Sequence, residues 1–344
     1  MNKTNKHAYL ILAHNEFNML KLLIKSLDDE RNDIYVMVDA KSKNFNQREF
    51  DGITKNSNLT FVKRIKIYWA SFMHVEAYYT LMKSAIKNLN YGYYHIISGV
   101  DIPLKTLDEI YDFFETNKGK QFLAVERDVS WNDCNNIYNF TEGGSSVIKG
   151  IINKIFRHQG AQYEQLAMFR YFFHKYHRIG LKNSNIFNKV IYVIARISLI
   201  IQKLLKITYN RNKDMRIYHG SDWFSITSDV VSFILEKEDW VRTHFFHAFS
   251  SSEIFVQTIV MDSKFKSNIY KFNDKTNLSV IDSNVRYIDW VRGKPYTFKI
   301  EDYDDLTNSG YLFARKFSTS IDREIVKKLY YRLLPAEIVD EILK

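Results

Sequence analysis

The chain has 344 residues, enough to bury a sizeable core, and such a length usually makes one large or two intimately packed domains of about 100–200 residues each. With 23 Tyr and 25 Phe against only 12 Gly and 3 Pro it is globular in composition, which excludes disordered, collagen-like and linker-rich architectures. A formal net charge of +10 asks for an acidic partner, whether nucleic acid, an anionic membrane surface or a phosphorylated small molecule, and charge alone does not choose among them.

The N-terminal MNKTNKHAYLILAH carries lysines and then a six-residue apolar run, too short for a signal h-region or a spanning helix. A single cysteine, Cys134, cannot close an intramolecular disulfide, which points to a reducing compartment. Beside Asp133 its thiol reads as structural, since a neighbouring carboxylate disfavours the thiolate.

Ala8 to Ala13 is a continuous apolar run of strand length, as a strand buried on both faces of a parallel sheet would be. Phe17, Leu20, Leu23, Ile24 and Leu27 then recur at helical spacing, and Ile34 to Val38 is strand again, so a βαβ unit ends at Asp39. Ligands of open α/β sheets sit beyond the carboxyl ends of the strands, which places His14 and Asp39 on one crevice. Asp39 is equally suited to a nucleotide's base or ribose and to ordinary turn chemistry in the D-A-K-S loop. A short strand over Leu59–Val62 leads to the basic, aromatic KRIKIYWAS, which contains Trp69. A helix is predicted over Met73–Leu89, then a strand YYHIIS ending in GVDIPLKT, with Asp101 just past the strand. Helix Leu107–Asn117 and strand Gln121–Val125 complete an alternating α/β half.

From Ser130 to about Met215 the pattern loosens into an aromatic, Asn-rich and basic insertion. Its clearest element is a helix over Ile186–Ile207, in which Lys189, Arg196 and Lys203 fall every seven residues on an otherwise apolar surface. Three charges rule against a spanning helix. Two readings stay open, a helix packed on the rest of the domain and a helix lying in the plane of an anionic membrane leaflet.

The chemistry gathers between Tyr218 and Asp262, in YHGSDWFSIT and FSSSEIFVQT. Gly220 and Ser221 let backbone approach a ligand closely, and Trp223 and Phe224 are suited to lying flat against a sugar. Glu253 is the candidate catalytic base. Ser250 and Glu253 also have the S-x-x-E spacing of a capping box, in which the glutamate merely satisfies a helix end. Spacing alone favours that structural role.

Taken together, HAYLILAHN, YVMVDAKS, the tryptophan of YWAS, SGVDIPLKT, GSDWFSIT, SSSEIFVQT, RYIDW and LFARKF resemble, in order and over nearly the whole chain, the core-2/I-branching glycosyltransferases, family 14 of that class. The resemblance implies an α/β fold of GT-A type, Rossmann-like, with a mixed central sheet, helices on both faces and a mostly helical insertion. It implies transfer of a sugar, commonly N-acetylglucosamine and in some relatives xylose, from a UDP-linked donor to a glycan hydroxyl, with inversion to a β linkage (β-1,6 in the branching enzymes). No metal ion or other cofactor is expected. Motif for motif, Glu253 falls on the family's base, and Arg286 and Lys316 on the basic pair that holds the donor diphosphate. His14 and Asp39 would lie near the nucleoside, and Trp69, Asp101, Ser221 and Trp223 near the donor and acceptor sugars.

The chemistry is consistent with these roles. An inverting displacement needs one carboxylate to take the acceptor's proton and cations to meet the charge on the departing diphosphate. Asp302-Tyr303-Asp304 spells the D-x-D of metal-dependent relatives, but it lies in the late acidic run EDYDD and reads as a solvated loop. The tryptophan motif reads W-A-S where glycine is expected after Trp69. Animal relatives carry an N-terminal anchor and several disulfide cysteines, so the expectation is a bacterial-type enzyme, cytoplasmic and peripheral at the inner face of the plasma membrane, acting in polysaccharide or lipopolysaccharide synthesis. The domain reading is one integrated catalytic unit, with a nucleotide-sugar half at 1–130, the insertion at 131–215 and a catalytic and diphosphate-binding half at 216–344. The basic residues are scattered and no nucleic-acid motif is present, so no nucleic-acid partner is expected. A glycan or nucleotide-sugar binding protein without turnover is the alternative.

Overall fold

The computed structural model describes residues 6–88, 91–129, 186–205, 215–276, 278–293 and 295–344. Strand β1 (His7–Ala13), helix α1 (Phe17–Ser26) and strand β2 (Asn32–Val38) form the first βαβ unit, and β3 (Asn58–Phe61) adds a parallel edge. After α2 (Met73–Asn88), β4 (Tyr93–Ser98) pairs in parallel with the other side of β1. A two-residue strand β5 (Ile102–Pro103), helix α3 (Leu107–Thr116) and strand β6 (Arg127–Val129) follow. Beyond the insertion helix α4 (Ile186–Leu204) come β7 (Ile217–His219), which pairs with β6, and β8 (Ser225–Thr227), which runs antiparallel beside β4. The main sheet is therefore mixed, in the order β3-β2-β1-β4-β8.

Burial explains why the apolar runs became central strands. β1 and β2 are buried along their full length, as strands covered on both faces must be. Because side chains alternate, Leu10, Leu12, Tyr35 and Met37 pack with α2 on one face. Ile11, Ala13, Ile34 and Val36 pack with Leu20, Leu23 and Ile24 of α1 on the other. The first face also receives α5 (Ser228–Glu236), α6 (Glu238–Phe245) and α7 (Phe255–Met261). A short hairpin of β9 (Phe272–Asn273) and β10 (Leu278–Ser279) precedes β11 (Arg286–Ile288). Helix α8 (Tyr303–Asn308) and β12 (Phe313–Arg315) follow, and β11, β12 and β5 make a second small sheet.

Several expectations are changed. Gln121–Val125 is buried but forms no regular ladder: Gln121 bridges Ile269, Phe122 bridges Ser225, and Ser279 N–H donates to the Val125 carbonyl (2.8 Å). An apolar run reports burial, whereas here the backbone partner changes along the segment. The last helix is two, α9 (Arg323–Tyr330), capped by Asp322, and α10 (Ala336–Ile342), separated by Pro335. Asp302 is not in a solvated loop. It is buried, accepts Arg292 Nη1 (2.6 Å) and Lys299 N–H (2.8 Å), and holds the turn before α8. Of the insertion only α4, Leu205 and Met215 are described, and Leu89, Asp133 and Cys134 lie outside the described residues.

Packing within the protein requires Gly220 to be small. A Cβ there would stand 1.8 Å from the Ala124 carbonyl oxygen, and the Gly220 N–H donates to the Glu253 carbonyl (2.9 Å). Gly220→Ala should therefore force the two segments apart and cost about 3 kcal/mol in chemical denaturation. A wild-type denaturation midpoint would show that the crossing is slack.

Candidate active site

The carboxyl ends of β1, β2 and β4 carry the first group of predicted residues. His14 is exposed just beyond β1, and its carbonyl accepts the Ser42 hydroxyl (2.6 Å), which ties the loops after β1 and β2 together. Asp39 is buried beneath them. Its carboxylate accepts the N–H groups of Lys41 (2.9 Å) and Ile67 (3.3 Å) and lies 3.3 Å from Lys41 Nζ. Turn chemistry is what these contacts express, while the link to Ile67 also carries the YWAS segment back to β2. Arg64 locks the same corner by donating to the carbonyls of Asp39 (2.9 Å) and Ser42 (2.7 Å).

Glu253 is positioned from two sides. Ala70 (φ 57°) and Ser250 (φ 52°) both adopt the left-handed conformation, uncommon outside glycine, and Ser250 N–H donates to the Ala70 carbonyl (2.9 Å). The glycine expected after Trp69 is thus an alanine in a glycine-like conformation. This bond settles the capping-box question. A capping glutamate would accept the Ser250 N–H, but that N–H is already taken, and Ser250 makes no side-chain cap. No capping box forms, and the Glu253 carboxylate has the Ser250 side chain and His219 as its partners. From the other side, β7 and the residues after it are stitched to α7. Tyr218 N–H donates to Thr258 Oγ1 (3.1 Å), Gly220 N–H to the Glu253 carbonyl, and Gln257 Nε2 to the Ser221 carbonyl (2.9 Å).

This stitching sets His219 Nε2 3.5 Å from Glu253 Oε2. The Glu253 side chain is 31% exposed. Removal from bulk water raises its pKa above the usual carboxylate range; His219 opposes the rise, the charge of Asp222 adds to it, and Ser250 opposes it. Asp222 in turn accepts the Tyr78 hydroxyl from α2 (3.3 Å). His74, in the first turn of α2, has a buried Nδ1 with no hydrogen-bond partner among the described residues. Burial lowers its pKa, which the charge of Asp222, a hydrogen bond to the Ser71 backbone and the charge of Asp39 oppose.

The remaining predicted residues divide. Trp223 is nearly buried, and one face of its indole is covered by the Arg315 guanidinium, 4.1 Å from the ring centre. Phe224 is fully buried in the core and cannot meet a sugar. Ser221 Oγ accepts the Trp223 N–H (3.2 Å), and Trp69 stands edge-on to Phe249 (5.4 Å). Asp101 is buried and accepts from the Ser98 N–H (3.0 Å) and hydroxyl, with Arg315 Nε 3.4 Å away. Burial raises the Asp101 pKa against the pull of Arg315. Arg286 is only 2% exposed. Its Nη2 donates to the Phe224 carbonyl (3.1 Å) and Ser225 Oγ (2.8 Å), its Nη1 to the Asn284 carbonyl, and burial lowers its pKa to about 10. Lys316 is half-buried directly after β12, beside Arg315.

Sequence reasoning missed His219, Asp222, Arg315, His74 and Tyr78. Three of these adjoin flagged residues, as the His before GSDW, the Asp within it and the Arg before Lys316. His74 and Tyr78 carry no local signal, because they reach the cleft from a helix whose pattern reports only burial. Among the described residues no group of three or more His, Cys, Asp or Glu is placed to hold a metal ion.

Comparison with known proteins agrees with this architecture. The family model described as Core-2/I-Branching enzyme matches residues 7–141 and 164–308. The chain is similar to xylosyltransferase 2 of Rattus norvegicus, 21% identical over 342 residues that cover 95% of this chain and 33% of that protein. Xylosyltransferase 2 of Mus musculus gives the same identity and coverage. The chain thus spans about a third of the length of the curated relatives it matches. With a mixed α/β sheet and a family match over well more than half of its length, the chain belongs to the Core-2/I-branching enzyme family of glycosyltransferases.

Proposed function

We propose that the protein is an inverting glycosyltransferase that moves a sugar from a UDP-sugar to a hydroxyl of a glycan acceptor, with Glu253 as the base. The observation that carries this reading is the Glu253 carboxylate, which forms no capping box because the Ser250 N–H is bonded to Ala70, and which lies beside His219 and within the field of Asp222. In the displacement the acceptor oxygen attacks the anomeric carbon as its proton passes to Glu253. The bond to the diphosphate breaks on the opposite face, and UDP leaves with the electron pair. Lys316 meets that charge at the diphosphate, with Arg315 beside it. Arg286, enclosed in the sheet, contributes positive potential from behind Asp101. His14 and Asp39 face the nucleoside, and Trp69, Asp101, Ser221 and Trp223 shape the sugar subsites.

N-acetylglucosamine, transferred in a β-1,6 linkage, is the donor sugar we propose from the family resemblance. The similarity to xylosyltransferase 2 favours xylose as a second reading. The proposed setting is cell-surface polysaccharide or lipopolysaccharide synthesis at the cytoplasmic face of a membrane. No described helix is long and apolar enough to cross one.

Glu253→Gln should lower transfer at least about 100-fold, since a general base contributes about 10²–10⁴ in rate, while UDP affinity measured by calorimetry stays within a few-fold. A variant that keeps more than about a tenth of wild-type turnover would place the base elsewhere. The reaction itself is proposed to run without a divalent ion. Turnover in excess EDTA should then match the untreated enzyme, and complete loss with rescue by Mn²⁺ would contradict the protein-cation account.

A further inference from the structure

Helix α4 leaves one apolar face uncovered. Ile186, Val190, Ile194, Ile197 and Ile201, with Phe187, are between 42% and 81% exposed. At the helical repeat of about 100° per residue these six positions fall within one sector roughly 100° wide. The helix is not bare all round, because Gln202, on an adjoining flank, is buried and donates from Nε2 to the Ser198 carbonyl (3.4 Å). A contiguous stripe of bulky aliphatic side chains left in water marks an interaction surface.

Charge identifies what covers it. From Ile186 through Lys206 the chain contains no Asp or Glu. Lys189, Arg196 and Lys203, spaced by seven, fall on one line of the helix, about 130° from the middle of the apolar stripe. A second copy packed face to face would bring two cationic helices together with no helix carboxylate to pair them. An anionic leaflet supplies both missing halves, acyl chains for the stripe and phosphates for the cations.

We infer that α4 lies in the plane of an anionic lipid leaflet, with its Ile186–Ile201 face at the acyl boundary and Lys189 among the headgroups.

Flotation of the full chain with vesicles of phosphatidylglycerol and phosphatidylcholine in equal parts, against phosphatidylcholine alone, tests it. The chain should float with the anionic vesicles at moderate salt and remain below with the neutral ones. Ile194→Glu combined with Ile197→Glu should cut partitioning at least about tenfold, and Lys189→Glu about fivefold, with thermal stability and lipid-free mass unchanged. No flotation on anionic vesicles would overturn the inference, and so would flotation that the double variant retains. A fall in melting temperature for that variant would show that the chain itself covers the face. A lipid-free dimer that the variant dissolves would assign the face to a second copy.

Discussion

The hydrogen bond from Ser250 N–H to the Ala70 carbonyl is the constraint on which the site depends. It joins two residues in the left-handed conformation, one on the YWAS loop and one before the segment that carries Glu253. Such conformations cost of order 1 kcal/mol or more each and persist where the surroundings fix them. The surroundings here are specific: Ser251 Oγ donates to the carbonyls of Phe245 (3.0 Å) and Ala248 (2.8 Å), and Trp69 packs against Phe249. By taking the N–H that a capping glutamate would need, the bond separates two meanings of one sequence motif.

Around the freed carboxylate the electrostatics are opposed and not uniformly favourable. Removal from water and Asp222 favour the protonated acid, while His219 favours the carboxylate. A base tuned in this way holds a proton more tightly than an exposed glutamate, with His219 limiting the rise. The cations are arranged in depth. Arg286 bonds the Phe224 carbonyl and Ser225 beneath the cleft, Asp101 lies between it and Arg315, and Arg315 stacks on Trp223. An arginine buried among carbonyls cannot move toward a ligand, but its field is not screened by solvent.

The βαβ core was readable because β1, β2 and β4 are buried on both faces and are therefore mostly apolar, with His95 in the middle of β4 the exception. Helix α2 was readable from its period, and Met73 as its start is where the structure places it. The Gln121–Val125 segment was misjudged because apolar character reports burial and says nothing of the ladder. Asp302 was misjudged because the partner that buries it, Arg292, is ten residues away in a loop without periodicity. In the site, Glu253 stood out only through the order of motifs along the chain. The contacts that give it meaning, to Ala70, His219 and Asp222, join segments far apart or depend on backbone conformations that no local pattern encodes. The glycine-like φ of Ala70 was visible in outline, since an alanine stands where glycine was expected.

The pH dependence of kcat/KM tests the central claim most directly. A general base acts as the carboxylate, so activity should fall as pH drops through the Glu253 pKa, and burial places that acid limb above the ordinary glutamate value. His219→Gln removes the group that holds the pKa down and should move the limb to still higher pH. An acid limb in the ordinary carboxylate range, unmoved by that substitution, would contradict the account.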